Sequence, residues 1–292
     1  MASTGAAQTH VRQATWRLRD GVLEFPRPLA AGIVNVTHDS FYAGARSGTA
    51  DQAIVDGLRL IEAGFDLLDV GAVPAAAGPR VPPVEEAARL TPAVEGLVAR
   101  GSVPVLADTF QPEAARMALD AGAAGINDTG GGRDPEMLEL VAEAGCGLVV
   151  MHIEGPPREE RETPPYDDPV SHLKEWFAER IADAGGRGVG DDQIALDPGF
   201  DFDLSVEDDL EVLARLGELR ELGRPLFLSV SRKDFLGALL AGPWEGRAPA
   251  EAREWATASA VALAVARGAD ILRLHDRSAL DAMRVADRIV NG

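Results

Sequence analysis

One rhythm runs through this chain from residue 31 almost to its end. A short apolar run that closes on polar side chains is followed by a stretch with helical periodicity, and the pair recurs eight times. The apolar runs cover 31–37, 65–71, 103–109, 123–129, 147–152, 194–199, 225–231 and 270–276. Runs this short and this uniformly apolar suit strands buried on both faces, as in a parallel sheet. The segments between them, 50–63, 84–99, 112–121, 135–144, 170–184, 206–222, 251–267 and 278–290, carry apolar residues three and four apart, the spacing of one helix face. Pro112 and Pro135 suit first helical turns, and Gly64, Gly122, Gly145 and Gly268 suit the position just past a helix end.

Eight strand–helix units in unbroken alternation predict an α/β fold, a (β/α)8 TIM barrel spanning 29–292. An open, doubly wound sheet is the alternative. It more often places a glycine-rich turn after the first strand, and Asn35-Val-Thr-His-Asp39 is not one. Ahead of the barrel, residues 1–28 form an N-terminal extension with a short β-hairpin. Trp16–Arg19 and Val22–Phe25 alternate apolar and polar around Asp20-Gly21, a turn dipeptide. The hairpin either plugs the barrel floor or stands free.

The length, 292 residues, suits one such barrel, which typically takes about 250. The formal charge of −19 disfavours nucleic acid and anionic lipid as partners, and it makes any local cluster of cations informative. A single cysteine, Cys146, opens the run Cys-Gly-Leu-Val-Val-Met and reads as a small buried hydrophobe. It allows no internal disulfide, so a reducing compartment is expected. No apolar stretch reaches the ~18–20 residues of a membrane span, and residues 1–10 lack a signal core. A cytoplasmic protein is expected. Apolar stripes on 251–267 and 278–290 suit a homodimer.

Barrel active sites lie at the C-terminal ends of the strands. Here those ends carry Asn35, Thr37 and Asp39; Asp69; Asp108 and Thr109; Asn127 and Asp128; His152; Asp197; Ser231, Arg232 and Lys233; and Arg273, His275 and Asp276. Asp69 and Asp128 fit equally as caps of loops or helices, and His152 alone fits a buried structural histidine. The cations point further. Ser231-Arg232-Lys233 and Arg273-Leu-His275 end strands seven and eight, whose loops frequently hold phosphate in barrels. Arg273 and His275, two apart, share one face of their strand, which suits a phosphate or pyrophosphate. Asp108, Asn127 and Asp197 suit a ring edge rich in N–H donors, such as an aminopyrimidine.

At these residues the chain resembles dihydropteroate synthase. The likeness runs from about Ala31 to the C-terminus through collinear motifs: Gly-Ile-Val-Asn-Val-Thr-His-Asp-Ser-Phe (32–41), Asp-Val-Gly (69–71), Asp-Thr-Phe (108–110), Ile-Asn-Asp (126–128), Val-Met-His (150–152), Leu-Asp-Pro-Gly (196–199), Ser-Arg-Lys (231–233) and Arg-Leu-His-Asp (273–276). The resemblance implies an enzyme of folate biosynthesis. It joins 4-aminobenzoate to 6-hydroxymethyl-7,8-dihydropterin diphosphate, giving 7,8-dihydropteroate and pyrophosphate. It implies that Asp108, Asn127, Asp197 and Lys233 hold the pterin, and that Asn35, Arg273 and His275 hold the diphosphate, with Mg²⁺ at Asn35. It places the aminobenzoate at Ser231, and Thr37 and Asp39 on a mobile loop.

The chain also departs from the family. His38 stands where proline is usual. Ala72-Val-Pro-Ala-Ala-Ala-Gly78 replaces a segment that ordinarily carries Thr and Arg, and Arg80 is the nearest candidate substitute. Asp201-Phe-Asp-Leu204 is less basic than usual. With Phe110-Gln-Pro-Glu113 and Ser-Val-Ser-Arg-Lys (229–233), these features resemble the sulfonamide-insensitive, mobile-element branch, and they imply reduced sulfonamide sensitivity. Two alternatives share the barrel: a degenerate, non-catalytic pterin-binding paralogue and a pterin-dependent methyltransferase. A metal-dependent barrel hydrolase fits worst, because no His-x-His ends strand one.

Overall fold

The structure, a computed structural model, describes residues 15–36, 47–76, 78–242 and 244–292. The hairpin is present: β1 (Thr15–Leu18) and β2 (Gly21–Glu24) pair antiparallel. It plugs the barrel floor rather than standing free. Trp16 is fully buried, and with Leu18 and Phe25 it joins Leu67, Leu106 and Val149 in one apolar cluster. The indole N–H donates to the carbonyl of Gln193 at 2.7 Å, so the polar edge of the ring is buried with its partner.

Eight parallel strands follow: β3 (Leu29–Asn35), β4 (Leu67–Gly71), β5 (Val105–Asp108), β6 (Gly125–Asp128), β7 (Gly147–Met151), β8 (Ile194–Asp197), β9 (Phe227–Leu228) and β10 (Ile271–Leu274). Their order is β8-β7-β6-β5-β4-β3-β10-β9, and a parallel bridge between Leu196 and Leu226 closes the ring. The seventh barrel strand is shorter than its apolar run. Its end leaves the ladder toward the site, where Ser229 donates to Asp197 at 2.9 Å.

The connecting helices are α1 (Ala50–Ala63), α2 (Pro83–Arg100), α3 (Pro112–Asp120), α4 (Pro135–Ala144), α5 (Pro169–Gly186), α6 (Val206–Ala214), α7 (Asp234–Ala241), α8 (Glu254–Ala266) and α9 (Arg277–Asn291). Their ends follow local chemistry. Thr49, Asp134 and Asp276 accept backbone N–H groups at the starts of α1, α4 and α9, and Gly64 and Gly145 take the left-handed conformation past α1 and α4. Two expectations need correction. The helix expected over 206–222 ends at Ala214 and continues as a 3-10 segment, Leu216–Leu222. Leucines three apart (216, 219, 222) suit that tighter winding, which eclipses positions i and i+3. Helix α7 falls outside the eight periodic segments, although Lys233 and Asp234 also fit the start of a helix, because Asp234-Phe-Leu-Gly-Ala-Leu-Leu-Ala241 has no polar face to set a period. Among the described residues no helix is long and apolar enough to cross a membrane.

Candidate active site

The barrel topology brings the strand ends into one ring, and a cavity of about 250 Å³ opens there. Asn35, Asp108, Asn127, Asp197, Ser231, Lys233, Arg273 and His275 all line it. The eight positions assigned a ligand within the described residues thus share one cavity, whereas Asp69, Thr109, Asp128, His152 and Asp276 are not among its lining. Thr37 and Asp39 lie outside the described residues.

One wall is an ion-pair network. Asp108 and Asn127 are register partners on β5 and β6. Asp69, fully buried on β4, accepts from Asn127 Nδ2 at 3.1 Å and pairs with Arg273 Nε; Arg273 Nη2 reaches Asp108 at 2.8 Å. Asp69 therefore caps neither a loop nor a helix. Asp128 does cap its loop, accepting from the N–H groups of Gly130 and Gly132 at 2.7 and 2.9 Å. Burial pushes the Asp108 carboxyl up to about 7, with the Asp69 charge adding and Arg273 opposing. Burial also works against the charge on Arg273, but the two carboxylates more than offset it. Asn127 Oδ1 and Asp69 Oδ1 are buried without a hydrogen-bond partner. Of the two, Asn127 lines the cavity, and an orphaned polar atom there marks a place where a polar ligand belongs.

The opposite wall is held by the loops after β8 and β9. Burial raises the Asp197 carboxyl, while the Gly199 N–H, Lys233 and Ser229 favour its charge. Lys233 donates to the Phe200 carbonyl at 2.7 Å, with its Nζ 4.6 Å from the centroid of the Phe202 ring. Asp201 lines the cavity too. Its carboxylate accepts the N–H groups of Asp234 and Phe235 at 2.6 and 2.8 Å, satisfying the first donors of α7. Sequence reasoning missed this role, since Asp201-Phe-Asp-Leu204 read only as a segment less basic than the family's.

The cationic end is less cationic than the sequence suggests. Arg232 sits at positive φ (57°) and turns its guanidinium to Asp276 at 2.6 Å and the Ala250 carbonyl at 2.9 Å. Burial, reinforced by the charges of Arg273 and Arg232, pushes His275 down to about 3, so this ring is neutral at physiological pH. Its Nδ1 lies 2.9 Å from Ser231 Oγ. The charge facing the cavity comes from Arg273 and Lys233.

The altered segment after β4 forms an apolar lip, with Val73, Pro74, Ala75 and Ala76 lining the cavity. Arg80 does not replace the missing arginine; it is exposed and lies off the cavity. The arginine that reaches this segment is Arg158, from the loop after β7. It donates to the carbonyls of Pro74 (2.5 Å) and Pro79 (2.7 and 2.9 Å), and its backbone N–H donates to Ala75. Nothing in Pro156-Pro157-Arg158-Glu159 signals this clamp. Cys146 is buried, and burial pushes its thiol up to about 12, as befits a packing residue.

Residues 31–275 match the family of pterin binding enzymes. The chain belongs to that family. Among its relatives is the dihydropteroate synthase of Escherichia coli K12, 35% identical over 267 residues, 91% of this chain and 93% of that one. The dihydropteroate synthase of Xanthomonas albilineans, solved with 4-aminobenzoic acid, superposes with a TM-score of 0.82 at 40% identity, covering 92% of this chain and 95% of that one. The same enzyme solved with 7,8-dihydropteroate gives 0.77 at 38% identity, with the same coverage. The fold is thus shared over nearly the full length of both chains.

Proposed function

We propose that the chain is a working dihydropteroate synthase, condensing 4-aminobenzoate with 6-hydroxymethyl-7,8-dihydropterin diphosphate. The observation that carries this reading is one cavity that joins carboxylate and amide groups (Asp108, Asn127 and Asp197) to the Arg273–His275 strand end beside Asn35. The relatives' bound aminobenzoate and dihydropteroate support it.

In this reading Asp108, Asn127 and Asp197 accept and donate along the pterin edge, and Lys233 closes that pocket. The ring is then fixed with its methylene toward β3 and β10. Arg273, His275 and Asn35 take the diphosphate. If the Ser231 O–H donates to His275 Nδ1, the neutral ring carries its proton on Nε2 and donates it to a phosphate oxygen. Asn35 offers a neutral amide oxygen on the strand beside β10. That donor fits magnesium, which takes one or two protein oxygens and completes its shell with phosphate oxygens and water. Bound there, Mg²⁺ would supply Lewis-acid stabilisation of charge on the departing diphosphate.

The methylene carbon–oxygen bond breaks, and its electron pair leaves with pyrophosphate. The amine lone pair forms the new carbon–nitrogen bond, and the amine then loses a proton. Charge grows on the leaving oxygens in the transition state, so the donors of Arg273 and His275 accelerate the step rather than merely binding substrate. No protein nucleophile takes part. Ser231 borders the place where the aminobenzoate docks. The exposed apolar side chains of Trp255, Leu263, Val285 and Ile289 on α8 and α9 support a homodimer. One buried thiol, with no disulfide to form, suits the cytoplasm.

Pyrophosphate release that requires both substrates tests the proposal. In that assay kcat/KM for the pterin diphosphate should climb with pH through an apparent pKa near 7, because Asp108 must be ionised to accept N–H donors. Asp108→Asn should remove this limb. Binding of a pterin with no pyrophosphate release would favour the non-catalytic paralogue.

Reduced sulfonamide sensitivity is a further part of the proposal. The lip Val73–Ala76, fastened by Arg158, supplies apolar contact where the usual Thr and Arg would hydrogen-bond. Inhibition by a sulfonamide should be weaker than that of the E. coli relative by about tenfold or more, roughly 1.4 kcal/mol of binding. Equal inhibition of the two purified enzymes would overturn it.

A further inference from the structure

Outside the cavity, three side chains unused by this chemistry converge on one point. His152 follows β7, Glu154 comes two residues later, and His172 lies in the first turns of α5. His172 Nε2 is 2.7 Å from Glu154 Oε1, and His152 Nε2 is 3.3 Å from both that oxygen and His172 Nε2. A tetrahedral ion with ligands about 2.0–2.1 Å away holds its ligand atoms roughly 3.3 Å apart. Two edges of the triangle already have that length. The third must open slightly, and its two residues, each about a third exposed, are the ones free to adjust.

The donor chemistry agrees. His152 is fully buried, its Nδ1 has no partner, and Nε2 is the nitrogen it presents. Glu154 presents Oε1 to both imidazoles. The Tyr166 hydroxyl lies 3.3 Å from the same carboxylate oxygen. Arg133 approaches only the other oxygen, at 3.8 Å, and the nearby Arg161 is occupied by Asp203 at 2.7 Å. Two imidazoles and one carboxylate, with the remaining position open, form a recurrent zinc-binding set. Nitrogen donors also separate it from a magnesium site built on oxygens.

We propose that His152, Glu154 and His172 form a zinc-type divalent metal site that staples the segment 153–168 between β7 and α5. That segment carries Arg158, whose guanidinium grips the cavity lip at Pro74 and Pro79. Metal occupancy therefore stiffens one wall of the cavity from outside it. The proposal needs only the geometry of the three side chains, and it stands or falls independently of the reaction assigned above.

The test uses the full chain stripped of metal and titrated with Zn²⁺ against a chromophoric chelator, with Co²⁺ as a visible-absorption probe. One equivalent should bind, at least about tenfold more tightly than in Glu154→Gln or His172→Asn (a free-energy difference of ~1.4 kcal/mol). The Co²⁺ absorption should vanish in both variants. Zinc, and not magnesium, should raise the denaturation midpoint of the unaltered chain, a result that needs no variant to fold. Equal zinc affinity in the unaltered chain and both variants would assign binding to other histidines and overturn the site. Absence of zinc uptake would also overturn it.

Discussion

Replacing Arg273 by methionine is expected to abolish measurable turnover and to cost about 3–5 kcal/mol of stability, the usual cost of removing one partner from a buried charge network. Arg273 is the countercharge for both Asp69 and Asp108, and Asp69 is wholly buried. Methionine fills similar space but leaves two carboxylates facing each other in low dielectric. The deficit should depend on pH. A carboxyl raised above its unfolded value contributes stability below the unfolded pKa and loses it as pH rises through the folded one. Asp108 is raised even with Arg273 present, and without it the loss extends to higher pH. The gap between variant and parent should therefore narrow as pH falls toward 4, where Asp108 is protonated. Adding Asp108→Asn should recover part of the stability and none of the activity. Urea denaturation across pH reads all of these outcomes. A variant as stable as the parent at pH 8 would show that the network does not carry the charge balance described here.

The second large effect belongs to Gly199, after β8. Its φ is +75°, and a methyl group there would lie 2.2 Å from the His152 carbonyl oxygen. Alanine must both adopt a left-handed conformation and push two backbones apart, at a cost on the order of 3 kcal/mol or more. Function should suffer beyond stability. The Gly199 N–H donates to Asp197 at 2.9 Å, the next residue's carbonyl anchors Lys233, and Asp201 caps α7. Moving this loop displaces three groups of one wall. Gly199→Ala should lower the denaturation midpoint and raise KM for the pterin substrate more than KM for 4-aminobenzoate. A folded variant with unchanged KM values would show that the loop tolerates displacement.

The sequence discloses those parts of the molecule that local physics decides. Strands buried on both faces must be apolar throughout, so the eight runs stand out, and barrel topology alone then gathers their polar ends. The shortness of the seventh strand and the extent of α7 escape notice for opposite reasons. In the former, Ser229–Ser231 continue the apolar run while leaving the ladder; in the latter, an almost uniformly apolar octapeptide has no period. Within the site, residue type is legible and state is not. His275 reads as a cation, yet burial beside Arg273 makes it neutral. Arg232 reads as a cavity cation, yet it turns to Asp276. Asp69 meets Arg273 across 204 residues, and Arg158 meets Pro74 across 84. Pairings of that range follow from the folded geometry rather than from any nearby pattern. The same holds for His152, Glu154 and His172, which a loop and a helix bring together.

Catalysis in this reading needs the carboxylate and amide groups and the Arg273–His275 strand end to act on one substrate pair. Its most direct test is the purified chain with 6-hydroxymethyl-7,8-dihydropterin diphosphate, 4-aminobenzoate and Mg²⁺, with pyrophosphate and 7,8-dihydropteroate measured together. Equimolar appearance of both, dependent on both substrates and lost in Arg273→Met, is the predicted result. A folded chain that binds the pterin but releases no pyrophosphate would contradict it.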